Sequence, residues 1–323
     1  MSRTSTGSSS PRDPAAPGIA AVPDRPDDIR HTLQTLGIGP SKAWGQSFLA
    51  DAFVADAEAA LVGAAPGRPI VEIGGGLGIL TAAIVRRGLG PLTVIERDGR
   101  LAAFLRATFG DRVHVLEADA LETELPPADC VVGNLPYSVA TPILLRLFAA
   151  RVPRVVFLVQ REVAERIAAG PGSKQYGRLS ILARLYGSVE LFRTVPPEAF
   201  VPRPEVESRL AVHVARADPL PVPSVPALEQ EVRVLFSSRR KQLGNLLPRL
   251  VPGEEASRVA AAAGWPADWK RLRPEMLAPE AYFALSGVLA QRGLPSPAVP
   301  GPARPRPETS ARRPARAPRR RSP

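Results

Sequence analysis

Cysteine is nearly absent: the 323 residues hold one, Cys130. A single thiol excludes a disulfide framework and any zinc site built on several cysteines. Histidine is almost as scarce. His31, His114 and His213 lie far apart in the chain, which leaves little for a histidine metal site, and no metal is expected. No run of about eighteen apolar residues occurs, so no membrane-spanning helix is expected. No charged-then-apolar segment opens the chain, so secretion is not expected and the cytoplasm is the expected compartment.

Positive charge and proline are plentiful. Lys and Arg number 42 against 31 Asp and Glu, a net charge of +11, which points to a polyanionic partner. Nucleic acid comes first and an anionic membrane second. Hydrophobic residues make up 45%, enough for a sizeable core, and the length suits a catalytic domain with a smaller companion. The charge is uneven. Residues 295–323 carry eight arginines, nine prolines and one acid, Glu308, so +7 sits in this tail and +4 in all the rest. With no apolar periodicity the tail is expected to be disordered. Residues 1–26 are rich in Ser, Pro and Ala and equally unpatterned. Their prolines forbid the amphipathic helix of a transit peptide, and Asp13 and Asp24 also count against one.

Between the tails, short apolar runs alternate with helical spacing. Strands are predicted at 69–73, 92–95, 113–116, 130–132 and 155–159, with helices at 78–87, 100–109 and 142–149 between them. That alternation specifies an α/β fold with an open, doubly wound parallel sheet. Right-handed crossovers put the strand ends that bind ligands on one edge. Further on, 162–169 and 179–185 are predicted helices, and 189–195 and 209–215 are predicted strands that close the sheet antiparallel. A proline-rich hinge at 219–226 precedes helices at 228–250, 254–263 and 279–289, a small all-α domain. The expected division is 1–26 tail, 27–217 catalytic domain, 218–293 helical RNA-binding domain and 294–323 tail.

Glu72-Ile73-Gly74-Gly75-Gly76-Leu77-Gly78 falls where the first strand turns into a helix. Glycines let the backbone pass close to a ligand. The dinucleotide fingerprint needs a further glycine where Ile79 stands, which weakens a pyrophosphate reading, and the absence of GK[ST] excludes a P-loop. The remaining pattern is that of S-adenosylmethionine enzymes; the glycines alone leave a ligand-free turn equally open. Two carboxylates break the tie. Glu96 ends the second strand, where it can accept both ribose hydroxyls. Asp119 ends the third, where it can accept from an adenine amine.

Asn134-Leu135-Pro136-Tyr137 follows the fourth strand. An adenine N6 lone pair is delocalised and weakly nucleophilic. The Asn134 amide oxygen and the Leu135 carbonyl can accept its two hydrogens, which favours a pyramidal nitrogen. Pro136 fixes the turn, and the Tyr137 ring can stack on the base. Asn and Pro are also ordinary turn residues; placement after the fourth strand favours the functional reading.

Here the chain resembles the ribosomal RNA adenine N6,N6-dimethyltransferases of the small-subunit, kasugamycin-sensitivity type. The likeness runs from about Leu33 to Leu289. It rests on GQSFL at 45–49, EIGGGLGILT at 72–81, NLPYSVATP at 134–142, VQREVAER at 159–166, SKQYGRLS at 173–180, AFVPRPEVES at 199–208 and FSSRRKQLGN at 236–245. The resemblance implies a Rossmann-like methyltransferase sheet and the cofactor S-adenosylmethionine. It implies that Ser47 and Leu49 line the cofactor site with Gly74, Gly76, Glu96, Asp119 and Asn134. It also implies that Phe200 covers the target adenine opposite Tyr137. The implied reaction is dimethylation of two adjacent adenines in a hairpin loop near the 3′ end of 16S rRNA. The implied partner is that RNA within the pre-30S particle, with the enzyme acting as a monomer. Two departures stand out: Ser47 where the family has Asn, and Gly75 where it has Pro. The second is expected to loosen the loop.

Arg239, Arg240 and Lys241 are read onto the first helix of the small domain. About 100° separates consecutive helical residues, so the three charges do not share one face. The resemblance favours phosphate contacts over a solvated surface. Lys174 and Arg178 are read as a loop meeting RNA near the active edge, with a plain surface loop as the alternative. His31, His114 and His213 are read as surface or strand-packing residues and Cys130 as a buried small hydrophobe. Trp44, Trp265 and Trp269 are read as packing residues. The alternatives to the main reading are a 23S rRNA methyltransferase of the macrolide-resistance type and a non-catalytic assembly factor on the same scaffold.

Overall fold

The computed structural model describes residues 22–39, 47–63, 67–218, 220 and 222–293. The Arg/Pro tail, most of the first 26 residues, Trp44, and Gly45 and Gln46 lie outside them. Helix α1 (Pro26–Thr35) is followed by a two-residue strand β1 (Phe48–Leu49) and α2 (Ala52–Ala60). Then come β2 (Ile70–Ile73), α3 (Ile79–Arg86), β3 (Leu92–Glu96), α4 (Gly99–Phe109) and β4 (Val113–Glu117). The sheet continues with β5 (Cys130–Asn134), α5 (Ala140–Ala149), β6 (Arg154–Gln160), α6 (Arg161–Ala168) and α7 (Arg178–Tyr186). Strands β7 (Gly187–Val195), β8 (Phe200–Val201) and β9 (Ser208–Ala215) precede α8 (Val225–Phe236), α9 (Gly253–Ala262) and α10 (Pro279–Gln291).

The main sheet has the order β4-β3-β2-β5-β6-β9-β7. Its first five strands run parallel, while β9 pairs antiparallel with both β6 and β7. The central strands read IVEI, CVVGN and RVVFLVQ, near-continuous apolar runs as expected of strands covered on both faces. One face is packed by Val54, Ile84 and Leu105 of α2, α3 and α4, the other by Leu144, Phe148 and Ile167 of α5 and α6. Each fully buried Leu, Ile or Phe contributes roughly 1.5–3 kcal/mol. Helix starts are fixed locally: Asp51 accepts from the Phe53 and Val54 amides at 2.9 and 3.2 Å, and Asp98 accepts from the Arg100 amide at 2.9 Å.

Helix α7 is apolar on two sides. Leu179 and Ala183 face the sheet, while Ile181, Leu182 and Leu185 join Leu228, Val232, Leu235, Trp265 and Tyr282 in a second core formed with the C-terminal helices. Trp265 and Trp269 pack there with ring centroids 5.6 Å apart. His213 is fully buried and stacks on Phe148 at 4.0 Å; burial pushes it down to about 4, so the ring is neutral at pH 7. His31 and His114 are exposed. Cys130 is 1% exposed and its thiol is pushed up to about 12 by burial, an inert core residue.

The continuous helix expected over 228–250 does not form. Helix α8 stops at Phe236, residues 237–240 make a turn, and short 3-10 turns cover Leu243–Asn245 and Leu247–Arg249. Two features keep the later part of this stretch from being helical. The Leu243 amide donates to the Leu272 carbonyl at 2.8 Å instead of to its own helix. Pro248 lacks an amide and would clash inside a helix. Arg239, Arg240 and Lys241 therefore lie in the turn beyond α8, not on the helix.

Candidate active site

Strand β2 delivers the chain to the carboxyl edge of the sheet, where it turns through Gly74, Gly76 and Gly78 at φ +75°, +55° and +84°. These left-handed conformations are the reason for glycine at all three. The loop is pinned by the Gly74 amide donating to Ile95 O at 2.8 Å and the Gly78 amide to Gly75 O at 2.8 Å. Gly75 does not loosen it. A Cβ there would sit 2.5 Å from Val94 Cγ1 and 2.8 Å from Leu105 Cδ1, so the loop is packed against β3 and α4 and leaves no room for a side chain.

Beside this loop opens a crevice continuous with solvent. Its walls include Ser47, Leu49, Gly74, Gly76, Glu96, Asn134, Leu135, Pro136, Tyr137 and Phe200. Ten of the eleven predicted catalytic and cofactor residues thus share one cavity.

Glu96, at the end of β3, is 5% exposed. Its Oε2 accepts from the Gly76 amide at 3.0 Å and its Oε1 from the Asp98 amide at 2.9 Å, which holds the carboxylate toward the crevice. Burial raises its pKa, and the amides of Asp98, Gly76 and Arg97 oppose that rise. Each oxygen keeps a lone pair for a further donor. Asp119 is the exception among the predicted residues. It lies one strand away, beyond β4, and does not line the crevice. Its Oδ1 accepts from the Leu121 amide at 2.8 Å, and Oδ2 is 3.3 Å from Arg97 Nη1.

Asn134 ends β5. Its Oδ1 is buried and has no hydrogen-bond partner. A buried amide oxygen left unpaired costs about 1–3 kcal/mol, so the site is incomplete without a donor. The turn that follows is rigid: the Leu135 amide donates to Leu158 O at 3.2 Å and the Val139 amide to Pro136 O at 3.0 Å. The Tyr137 hydroxyl is tied to Ser208 Oγ at the start of β9, 2.6 Å away, which orients the ring. Burial raises the Tyr137 pKa, so the phenol stays neutral. Strands β1 and β8 pair antiparallel, with Leu49 opposite Phe200, and so carry the Phe200 ring to the same cavity.

Two acids escaped the sequence reading. Glu72, in β2, lies on the crevice floor at 1% exposure and accepts from the Thr81 hydroxyl at 2.7 Å. Burial pushes it up to about 7; the Thr81 hydrogen bond opposes the rise and the nearby Glu96 charge adds to it. Glu58, on α2, is fully buried and neither carboxyl oxygen has a partner. Burial first, then the Glu72 charge, raises it well above the ordinary range, so it is held neutral. The signal was present: Glu58 stands at helical spacing between Val54 and Val62, on the apolar face.

Two of the predicted RNA-facing residues meet from separate segments. Arg239 Nη1 donates to the Lys174 carbonyl at 2.8 Å, joining the turn after α8 to the loop after α6. Arg178 is the first residue of α7, and Lys174, Arg240 and Lys241 are exposed. Among the described residues no group of three His, Cys, Asp or Glu could hold a metal, and no helix is long and apolar enough to cross a membrane.

The donor implied by the resemblance, S-adenosylmethionine, fits these residues. The glycine turn admits a close ligand, Glu96 can accept from a ribose, and the unpaired Asn134 oxygen awaits a donor. Comparison with known proteins agrees with the geometry. The family model described as ribosomal RNA adenine dimethylase matches residues 40–264. A ribosomal RNA small subunit methyltransferase A from Anaeromyxobacter dehalogenans (strain 2CP-C) is 38% identical over 283 residues, covering 82% of this chain and 99% of the relative. Among solved structures, a dimethyladenosine transferase from Plasmodium falciparum has a TM-score of 0.65 at 22% identity, covering 76% of this chain and 98% of that one. The 23S rRNA methyltransferase ErmE has a TM-score of 0.59 at 25% identity, covering 76% of this chain and 100% of that one. A Rossmann-like sheet, its glycine turn, the NLPY turn and a match over most of the chain lead to one conclusion: the chain belongs to the ribosomal RNA adenine dimethylase family.

Proposed function

We propose that this protein transfers methyl groups from S-adenosylmethionine to N6 of two adjacent adenines in the hairpin loop near the 3′ end of 16S rRNA, two to each base. The observation that carries the reading is the buried, unpaired Oδ1 of Asn134 at the mouth of the NLPY turn. S-adenosylmethionine, when bound, supplies an electrophilic sulfonium methyl.

The chain's residues do the positioning. Glu96 accepts from the ribose of the donor, and Gly74 and Gly76 let the backbone lie against its amino-acid end, beside Ser47 and Leu49. Asp119 accepts from the adenine amine of the donor, since each of its carboxylate oxygens keeps a lone pair beside the contacts to Leu121 and Arg97. The target base leaves its stack to enter the crevice, which a hairpin loop makes easier than a duplex. Tyr137 and Phe200 hold its faces. Asn134 Oδ1 and the Leu135 carbonyl accept the two N6 hydrogens, and the nitrogen lone pair turns toward the methyl. The new N–C bond would replace the donor's S–CH3 bond, leaving a neutral thioether, and the N6 proton would then pass to solvent, so no strong base is required. Alignment of reactants of this kind can supply about 7–11 kcal/mol of the barrier.

Lys174, Arg178, Arg239, Arg240 and Lys241 contact RNA phosphates, and the Arg/Pro tail adds sequence-independent affinity. The substrate is the small-subunit precursor particle, met in the cytoplasm by a monomer. The fold similarity to ErmE keeps 23S rRNA as the second reading. Labelled donor and unmodified subunits of both sizes decide between them. Label on two adjacent adenines of the small subunit is expected, and label in the large subunit alone would overturn the substrate assignment.

A further inference from the structure

In the proposed function one base enters the crevice, and no residue is yet assigned to its neighbours on the strand. Phe53, on the first turn of α2, is 69% exposed, the most exposed large apolar side chain among the described residues. Its backbone is fixed by the Asp51 carboxylate, which accepts from the Phe53 amide at 2.9 Å. The guanidinium of Arg193 lies over the ring, 4.8 Å from its centroid, within cation–π range. Among the described residues no carboxylate pairs with Arg193, so its charge is not neutralised.

Arg193 stands at an irregularity of the edge strand β7. Leu191 is opposite Ala211 but Thr194 is opposite Arg209, so three steps along β7 match two along β9. Such bulges re-aim a side chain and collect beside active sites. Register ties both residues to the crevice walls. Phe53 is four residues beyond Leu49, the partner of Phe200, and four residues span at most about 14 Å. Arg193 is two residues before Val195, the partner of Ser208, whose hydroxyl holds Tyr137.

A flat apolar ring beside an unneutralised cation matches the two parts of a nucleotide, a base and a phosphate. We infer that Phe53 and Arg193 form a second stacking subsite at the crevice rim, which takes an unpaired nucleobase of the same RNA strand flanking the one to be methylated. The inference rests on the proposed RNA substrate. The base lies on the open surface of the Phe53 ring, and Arg193 serves the adjoining phosphate.

The test uses the full chain and an RNA hairpin with two adjacent loop adenines, intact or with an abasic nucleotide at each flanking position in turn. Phe53→Ala is expected to weaken binding of the intact hairpin roughly tenfold, a loss that follows from the usual strength of base–aromatic stacking. The loss is expected in KM with kcat retained, and Phe53→Tyr is expected to restore affinity. At one flanking position the abasic RNA should bind wild type and Phe53→Ala equally. Arg193→Gln is expected to reduce the salt slope by about one. Equal weakening of intact and abasic RNAs, or an unchanged KM, would overturn the subsite. Calorimetry with S-adenosylhomocysteine reports on folding and the donor site of each variant. A wild type that binds RNA with the abasic dependence but methylates none of it would contradict the proposed activity and support the subsite.

Discussion

Replacing Glu58 by leucine should stabilise the protein, and more so as the pH rises. The Glu58 carboxyl is fully buried with both oxygens unpaired, beneath a crevice whose floor carries a second buried acid, Glu72. An unpaired buried polar group costs about 1–3 kcal/mol, and leucine at this position meets an apolar face already formed by Val54 and Val62. The pH dependence follows from linkage. Below the ordinary carboxyl value of 4.5 the acid is neutral folded and unfolded, and no titration cost arises. Above it the unfolded chain gives up the proton while the folded chain keeps it, so stability falls by about 1.4 kcal/mol per pH unit per group until the folded pKa is reached. For Glu72 that window runs from 4.5 to about 7, a loss on the order of 3 kcal/mol by pH 7. Glu58 falls with the same sign, and Glu58→Leu removes its share. Urea denaturation of wild type and Glu58→Leu at pH 5, 6, 7 and 8 should show a midpoint gain that widens with pH, and thermal melts a rise of about 2–4 °C for each kcal/mol. A gain independent of pH, or a loss of stability at pH 8, would refute the reasoning.

Asn134→Ala should lower methylation on the order of a hundredfold or more with RNA affinity retained, as removal of one preorganised polar group at a reaction centre typically does. Tyr137→Phe, which loses only the bond to Ser208, should cost about 1 kcal/mol in the transfer step, whereas Tyr137→Ala should cost the stacking energy of about 1–3 kcal/mol; single-turnover kinetics separate the two. Gly75→Ala puts a Cβ against Val94 and Leu105 and should destabilise the fold by about 1–3 kcal/mol, read by denaturation. Removal of residues 295–323 should lower RNA affinity and flatten its salt dependence while sparing turnover; an unchanged slope in a salt titration would count against the tail's role.

The sheet was legible because its strands are short runs of β-branched and apolar residues bounded by glycines and acids. From β2 to β6 every predicted strand lies within one or two residues of the observed one. The crevice was legible because strand order alone brings the ends of β2, β3 and β5 to one edge. Contacts between distant segments were not. Beyond the end of α8, the Leu243 amide goes to the Leu272 carbonyl, a partner that local spacing cannot reveal. The same holds for Asp119, whose strand-end position is as expected but whose carboxylate is engaged by Leu121 and Arg97. Gly75 looked permissive in sequence and is tight in space, because Val94 and Leu105 arrive from other elements. Phe53 and Arg193 are separated by 140 positions and meet only through the folded sheet edge.

The most direct measurement is a crystal structure with S-adenosylhomocysteine and adenosine in the crevice. The adenosine N6 is expected at hydrogen-bond distance, about 2.9 Å, from Asn134 Oδ1, with the ring between Tyr137 and Phe200 and the nitrogen facing the sulfur. Adenosine bound elsewhere, or N6 turned away from Asn134 toward solvent, would contradict it.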